Sequence, residues 1–368
     1  MSIGSEDRVA LQKKSLIVSA LLVVCIGFSL CVDLYTGTIA SPLKVLGCYG
    51  MFFSQLFAQI SGGQVLTGAE IIAIEPSYYY LTARAGTTFI TALAGALLSL
   101  AGSLYQSVFK NPIASPSMLG VSSGISLGHV VLVLVFGTSA ATMLGVKYAL
   151  SYGFAIGMLV IMFALSKFIS GRGRSLNIIN MLVVGTLLSQ LVGVVVTYAQ
   201  WYLFDDEMYL VYNNLNEVLS VNTDALSLVL FTVLAVASVV PVFLYRFRLN
   251  VLSFDESDIR MLGVDANKIQ LVALVCGTVM MVASQVAVGT VSMISLVVPH
   301  VSRTIFGAEF RKQTIGNCLI GAFLLVLCRD VLACLPFVSS FLPIGTVVSI
   351  IVLPLFVWII ATQQRSWE

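Results

Sequence analysis

Charged side chains are scarce in this 368-residue sequence, because Asp, Glu, Lys and Arg together make up only 10% of it. Hydrophobic residues account for 58%, and the mean hydropathy is +1.01. A soluble domain of this length needs far more polar surface, so the composition excludes a soluble protein. Apolar stretches of about 20 residues, each long enough to cross a hydrocarbon core of about 30 Å, recur along the chain. They predict an all-α polytopic membrane protein.

The motifs of several enzyme classes are also missing. The sequence has no GxxxxGK[ST] phosphate loop, so we expect that the chain itself does not hydrolyse ATP. It shows no nucleophile arrangement and no metal-ligand spacing, and its seven cysteines include no CxxC pair, which is typical of small buried hydrophobes. We therefore predict a protein that is not an enzyme, with no cofactor or metal ion of its own and no nucleic-acid partner.

About ten apolar segments have the length of membrane spans. The first follows Lys13 and Lys14 without a small-residue cleavage site after it, so it is interpreted as a retained helix rather than a signal peptide. The predicted spans lie at residues 15–35, 88–109, 118–137, 147–167, 177–201, 225–247, 269–288, 292–306, 314–333 and 343–362. An even number of spans places both termini on one side of the membrane.

The basic residues predict which side that is, because short loops rich in Lys and Arg stay in the cytoplasm. If the amino terminus is cytoplasmic, 15 of the 19 basic residues lie inside. The exceptions are Lys44, Arg84, Lys147 and Arg329. We therefore predict that both termini are cytoplasmic and that residues 1–368 form a single transmembrane domain.

The longest predicted loop, residues 36–87, is extracytoplasmic. Its segment SPLKVLGCYGMFFSQLFAQ is apolar enough for a short interfacial or re-entrant helix, or for an eleventh span. A second outer loop places Asp205, Asp206 and Glu207 beside several aromatic residues. We interpret it as a solvated loop with an aromatic belt, with docking or substrate contact as the alternative.

Ionisable residues inside apolar stretches usually mark transport chemistry in membrane proteins, and here they are few. His129 lies in the third predicted span and His300 follows Pro299. Asp330 adjoins Arg329 near the outer end of the ninth predicted span, so we expect the arginine to neutralise it in part. No carboxylate is predicted at mid-depth, which counts against a proton-coupled carrier.

The stretch FKNPIASPSMLGVSSGISLG, residues 109–128, interrupts the apolar pattern. Asn111 and Pro112 are predicted to end the second span on the cytoplasmic side, because proline lacks a backbone donor and disfavours helix in the preceding residue. Pro116 precedes the next span. The small residues that open this span, including Gly120 and Gly124, allow close helix packing or leave space for a passage.

The longest charged cytoplasmic segment is RFRLNVLSFDESDIRMLGVDANKIQ, residues 246–270. Ser253 and Glu256 have the spacing of a capping box, and Gly263 is placed to end a helix. A short surface helix over about residues 254–262 is therefore predicted. Its apolar face needs a partner, which is the bilayer surface, the protein itself or another subunit.

The run ALAGALLSLAGSLYQSVFKNPIASPSMLGVSSGISLG, residues 92–128, resembles the signature of the FecCD-type permeases. These are membrane subunits of ATP-binding-cassette importers for iron-siderophores, haem and cobalamin. Downstream, LNVLSFDESDIRMLGVD is similar to the family's coupling segment and LPIGTVVSIIVLPLFVWII to its last helix. VVPHVSR, with Pro299, His300 and Arg303, is similar to a further element, interpreted as lying at a helix end. The residues matching the signature are Gly102, Gln106, Asn111, Pro112, Ala114, Pro116, Leu119, Gly120, Val121, Ser122 and Gly124.

The resemblance implies an all-α permease of the FecCD/cobalamin type in the bacterial cytoplasmic (inner) membrane. Separate ATPase subunits would bind ATP and Mg and receive the short cytoplasmic helix in a cleft. The other implied partners are a second permease subunit, identical or homologous, an extracytoplasmic substrate-binding protein and the lipid bilayer. An ATP-independent secondary carrier or channel is the alternative, and an exporter or signalling subunit a third possibility. The implied ATPase-coupling residues are Asp255, Glu256, Ser257, Ile259, Arg260, Met261, Leu262 and Gly263.

The sequence departs from the family where the binding protein docks. The family commonly has R-L-P-R before its second helix, and the aligned residues here are RAGT. Arg84 remains and is implied as a docking residue, while Gly86 and Thr87 replace the proline and the second arginine. Another outer arginine of the family aligns with Cys334, and the G-P-I-G-F element is GTVSM here. Other acidic outer residues are the alternative docking surface: Glu70, Glu75 and Asp205 to Glu207.

Overall fold

The structure, a computed structural model, is almost entirely helical. It describes residues 5–31, 42–61, 66, 70, 74, 78–137, 139, 144–170, 178–201, 203, 225–253, 266–291, 293–307, 309–334 and 343–364. None of these residues forms a strand, which confirms the all-α prediction.

Eleven α-helices follow one another along these described ranges. They are α1 (Ser5–Cys31), α2 (Pro42–Ser61), α3 (Tyr78–Phe109), α4 (Val121–Phe136), α5 (Leu144–Ser170), α6 (Ile178–Gln200), α7 (Ala225–Leu249), α8 (Ala266–Val288), α9 (Met293–Phe306), α10 (Phe310–Ala333) and α11 (Ile344–Gln364). A short 3₁₀ turn, Pro116–Leu119, precedes α4, and another, Asn250–Ser253, follows α7.

Each predicted span coincides with one helix, but residues 36–87 contain more helix than a loop. The helix expected in the SPLKVLGCYGMFFSQLFAQ segment is present as α2. α3 begins at Tyr78 rather than at residue 88, so the predicted end of the loop at residue 87 is wrong. The physical reason is that Arg84, a charge that sequence reasoning places outside a span, has partners inside the protein.

Within the described residues, six helices are long and apolar enough to cross a membrane: α3, α5, α6, α7, α8 and α10. Shorter apolar stretches lie in α1, α4, α9 and α11. The chain is therefore a multi-pass membrane protein. The count of about ten spans and the cytoplasmic position of both termini stay predictions, as does the crossing of the membrane by α2.

The most deeply buried helices are α3, α8 and α10. In the apolar 18-residue stretches of α3 and α8, 78% of the residues are buried. In the corresponding stretch of α10, 67% are buried. The shares for α5, α6 and α7 are 33%, 28% and 22%. Because α3 packs against α8, α9 and α10, it lies at the centre of the bundle. The apolar side chains that α5, α6 and α7 leave exposed are positioned to face lipid.

Glycines bring two helices unusually close to α3. A Cβ atom on Gly95 would overlap the carbonyl group of Gly321 in α10, and one on Gly321 would overlap that of Gly95. A Cβ atom on Gly102 would overlap the carbonyl group of Ser295 in α9. Small residues at such contacts let helix backbones approach one another. They fix α9 and α10 against the helix that carries the first part of the family signature.

Candidate functional site

The chain leaves α3 through a tight turn at the Asn-Pro pair. Lys110 has a positive φ of 48°, which ends the helix. The side chain of Asn111 accepts a hydrogen bond from the amide of Ile113 at 2.9 Å, and its backbone carbonyl accepts one from Ala114 at 3.1 Å. These bonds satisfy amides around Pro112, which has none. The predicted helix end at Asn111 and Pro112 is confirmed.

A second break separates this turn from α4. Pro116 begins the 3₁₀ turn, and Gly120 ends it with a φ of 85°, a conformation that favours glycine. The Gly120 amide donates to the carbonyl of Ser117 at 3.3 Å, while its carbonyl accepts from Gly124 at 2.9 Å. Gly120 therefore closes the turn and opens α4. The predicted position of Pro116 just before the next helix is confirmed.

Gln106, in the last turns of α3, brings two family elements together. Its side-chain amide donates to the carbonyl of Leu296 in α9 at 3.0 Å, and its side-chain oxygen lies 3.5 Å from a guanidinium nitrogen of Arg303. The amide that Pro299 lacks would have bonded the carbonyl of Ser295, four residues earlier, so the bond from Gln106 to Leu296 does not replace the missing one. The sequence did not predict this contact between the signature and the VVPHVSR element.

The same stretch of α9 is held from its other side by α10. Gln313 donates from its side chain to the carbonyl of Pro299 at 3.0 Å, and Ser302 donates to the carbonyl of Gln313 at 3.1 Å. Pro299 and His300 lie inside α9, which continues to Phe306, so their predicted position at a helix end is wrong. Arg303 does lie in the last turn. Side chains from α3 and α10 bind this stretch of α9, and the helix continues past Pro299.

α4 uses its small residues for packing. A Cβ on Gly124 would lie 2.8 Å from the backbone of Ala155 in α5, and one on Gly128 would lie 3.0 Å from the carbonyl oxygen of Leu150. Of the two alternatives for these glycines, close packing is therefore the observed one. On another face, Ser122 accepts a hydrogen bond from the side-chain amide of Gln285 in α8 at 3.1 Å. Gln285 is not among the predicted site residues, although a glutamine within the apolar run VASQVAV is a visible signal.

Arg84 is not available for docking. Its side chain is 0% exposed, and a guanidinium nitrogen lies 2.6 Å from a carboxylate oxygen of Asp330 in α10. Its Nε donates to the backbone carbonyl of Ser29 in α1 at 2.9 Å, and the Ser29 hydroxyl donates to the same carboxylate oxygen at 2.8 Å. The implied docking role of Arg84 is therefore contradicted, because docking requires an exposed guanidinium.

Arg329 makes hydrogen bonds with α3, although it lies beside Asp330 in the sequence. Its guanidinium donates to the hydroxyls of Thr87 and Thr91 on α3, the latter at 3.0 Å. Asp330 is instead paired with Arg84. Thr87, which stands where the family has a second arginine, thus supplies an acceptor for a buried cation. The resulting cluster holds α1, α3 and α10 together through buried charge-assisted hydrogen bonds.

The implied coupling residues Asp255, Glu256, Ser257, Ile259, Arg260, Met261, Leu262 and Gly263 lie outside the described residues, as does the predicted helix at 254–262. The described start of that segment is tied to the bundle. Asn250, at the end of α7, accepts a hydrogen bond through its side chain from the amide of Phe310 at 2.8 Å. The described residues contain no group of three or more His, Cys, Asp or Glu that could hold a metal ion.

The chain is similar to known membrane transport proteins over most of its length. The sequence model of the FecCD transport family matches residues 42–362. The probable iron chelatin transport system permease protein of Helicobacter pylori is 29% identical over 77% of this chain and 82% of its own length. The hemin transport system permease protein of Yersinia pestis is 30% identical, covering 78% and 85%. The vitamin B12 import system permease protein of Vibrio cholerae is 32% identical, covering 75% and 80%.

The fold is also found in solved structures. A chain of a metal-chelate type ABC transporter in an inward-facing conformation superposes with a TM-score of 0.72, covering 95% of this chain and 99% of that one. The two sequences are 22% identical, so the likeness shows a shared fold.

Proposed function

The chain belongs to the FecCD transport family, and from this membership we propose that it is the membrane-spanning permease subunit of an ATP-binding-cassette importer. The observation that carries the proposal is the match over residues 42–362. It includes every helix from α2 to α10. We place the protein in the bacterial cytoplasmic membrane, with ten spans and both termini in the cytoplasm.

The names of the relatives support the cargo class. They specify an iron chelate, hemin and vitamin B12, each of which is a metal held in an organic chelate. We assign this chain to the inward transport of the same class: an iron-siderophore, haem or cobalamin. The metal is cargo in this assignment and not a resident cofactor.

The energy would come from separate ATPase subunits that bind ATP and Mg. We propose that residues Asp255 to Gly263 form the contact with them, within the segment 246–270. The other proposed partners are a second permease subunit and an extracytoplasmic binding protein. Docking of that binding protein is not assigned to Arg84, which is buried.

Hydrogen bonds lead from this segment to the centre of the bundle, which supports a coupling role. Asn250 binds the amide of Phe310 at the start of α10. One turn further, Gln313 binds the carbonyl of Pro299 in α9. Arg303 of α9 lies against Gln106 of α3. A displacement of the cytoplasmic segment would therefore be passed to α10, α9 and α3 by direct contacts.

Co-purification tests the proposal. The tagged chain is extracted from its native membrane in mild detergent, and the proteins that accompany it are identified. We expect an ATPase, whose association is lost in Arg260→Ala and Met261→Ala. Arg172→Ala removes a charge from a different predicted cytoplasmic loop and serves as the matched control.

Two outcomes would count against this assignment. An ATPase retained by both variants would remove the coupling role of residues Asp255 to Gly263. If the chain emerged alone under every mild condition, the alternative of a secondary carrier or channel would be favoured. Uptake of a labelled iron chelate, haem or cobalamin into vesicles without ATP would then be measured.

A further inference from the structure

One side of α7 is buried and the rest of its circumference is apolar and exposed. The buried side carries Phe231, Ala235, Ser238 and Val242, at the spacing of one helix face. Near the end of α7, the exposed side chains are Val240, Phe243, Leu244 and Phe247, and Leu244 is 74% exposed. In a bilayer, this exposed face would contact acyl chains.

Two guanidinium groups from different helices contact the same aromatic ring at the end of this apolar face. Arg246, in the last turn of α7, lies 5.1 Å from the ring centre of Phe247 and 5.5 Å from that of Phe243. Arg311, in the first turn of α10, lies 5.6 Å from the ring centre of Phe247. One exposed ring therefore holds two cations in place through cation–π contacts. We call Arg246, Arg311, Phe243 and Phe247 the paired-arginine surface.

The positive charge of this surface is not balanced among the described residues. The nearby carboxylate of Glu309 is 3.0 Å from the ammonium group of Lys312 and is neutralised by it. The helix dipole accounts for Arg246, because cations are favoured at helix C-termini. It does not account for Arg311, because the N-terminus of α10 is positive already. An anion bound to both guanidinium groups would balance their positive charge.

We propose that the paired-arginine surface binds the headgroup of an anionic phospholipid. Its phosphate would lie between Arg246 and Arg311, because guanidinium groups bind phosphate oxygens in a bidentate manner. Its acyl chains would run along the exposed face that includes Val240 and Leu244. This continuity of a cationic end with an apolar face fits a lipid. A free phosphate or an acidic protein surface has no acyl chains to contact the apolar face.

Native mass spectrometry of the full-length chain tests the proposal, with phosphatidylglycerol and phosphatidylcholine as probes. We expect preferential binding of phosphatidylglycerol. Arg246→Gln and Arg311→Gln should each weaken it about five-fold, because each basic residue near a membrane surface contributes about 1 kcal/mol. Lys167→Gln, an exposed cation at the end of α5 with no aromatic contact among the described residues, is the matched control and should bind as the unchanged protein does.

A second readout separates lipid binding from a structural role of the arginines. The unfolding temperature of each variant is measured in phosphatidylcholine alone and with added phosphatidylglycerol. A ligand that binds the folded state raises this temperature, so the rise should shrink in the two arginine variants only. Equal temperatures in phosphatidylcholine alone would show that the variants fold normally.

Several results would overturn the proposal. One is equal binding of the two lipids. Another is unchanged phosphatidylglycerol binding in the double variant Arg246→Gln/Arg311→Gln. Inorganic phosphate that displaces the lipid at low concentration would indicate a free-phosphate site. Loss of a co-purifying ATPase with unchanged lipid binding would assign the surface to a protein partner.

Discussion

The Arg84–Asp330 pair is a buried contact whose disruption should strongly affect stability. Both side chains are buried, so removal of one charge leaves the other without its partner. In Asp330→Asn, the buried guanidinium of Arg84 would lose its carboxylate, and Arg329 would remain as a second cation nearby. We expect the free energy of unfolding to fall by about 3–5 kcal/mol. Chemical denaturation in detergent micelles measures it.

The control is the double variant Arg84→Met/Asp330→Leu, which removes both charges and keeps much of the buried volume. Replacement of a whole buried pair by apolar side chains is often neutral, so this variant should be more stable than Asp330→Asn. If the single variant were as stable as the unchanged protein, the ion pair would contribute little.

Residue roles could be predicted from the sequence where a residue acts on its own neighbours along the chain. Asn111, Pro112 and Pro116 act on their own backbone neighbours, so their positions could be predicted. Arg84 and Asp330 are 246 residues apart, and no local rule indicates that their side chains meet. The resemblance therefore placed Arg84 at the surface, and only the helix packing shows that it is buried.

Contact between helices makes a sharp prediction at Gly102. A methyl group there would overlap the carbonyl group of Ser295, and backbone atoms cannot move aside as a flexible side chain can. Gly102→Ala should therefore separate α3 from α9 and lower the free energy of unfolding by about 1–3 kcal/mol. The change would also disturb the contact between Gln106 and Leu296 one turn away.

Gly153→Ala in α5 is the matched control, because nothing lies within 4 Å of the added methyl group. Alanine is the better helix former, so this variant should gain about 0.5–1 kcal/mol. Opposite signs for the two substitutions in the same denaturation measurement are the expected result. A loss of equal size at both positions would mean that the α3–α9 contact does not determine the effect.

The helices themselves were largely predictable, since apolar length alone indicates them. The errors lie at their polar ends. α3 begins at Tyr78 because Arg84 and Thr87 find partners in α1 and α10, which a hydropathy pattern does not reveal. Pro299 was interpreted as a helix end for a similar reason. Its helix continues to Phe306, and side chains of Gln106 and Gln313 contact it from outside.

For the whole molecule, the two proposals concern neighbouring parts of one surface. Asn250 and the paired-arginine surface both meet α10 at its first turn. A lipid headgroup between Arg246 and Arg311 would hold the ends of α7 and α10 together where the proposed coupling segment, residues 246–270, begins. Bilayer composition would then affect how firmly that segment is anchored.

Whether the number of membrane-crossing helices is even or odd determines on which side the carboxyl terminus lies. Ten crossing helices return the chain to its starting side, whereas a crossing by α2 would make eleven and separate the termini. Basic residues concentrate in the loops assigned to the cytoplasm, so we expect both termini inside and α2 confined to the outer surface. Green fluorescent protein, which fluoresces only in the cytoplasm, should be bright at either terminus.

Alkaline phosphatase, which is active only outside the cytoplasm, reports directly on α2. Fusions after Thr36 and after Leu66 flank this helix, and both should be active if it does not cross. Activity at Thr36 but not at Leu66 would show that α2 is a span. The carboxyl terminus would then lie outside, and the assignment of segment 246–270 to the ATPase side would fail with it, because every loop after α2 would change sides.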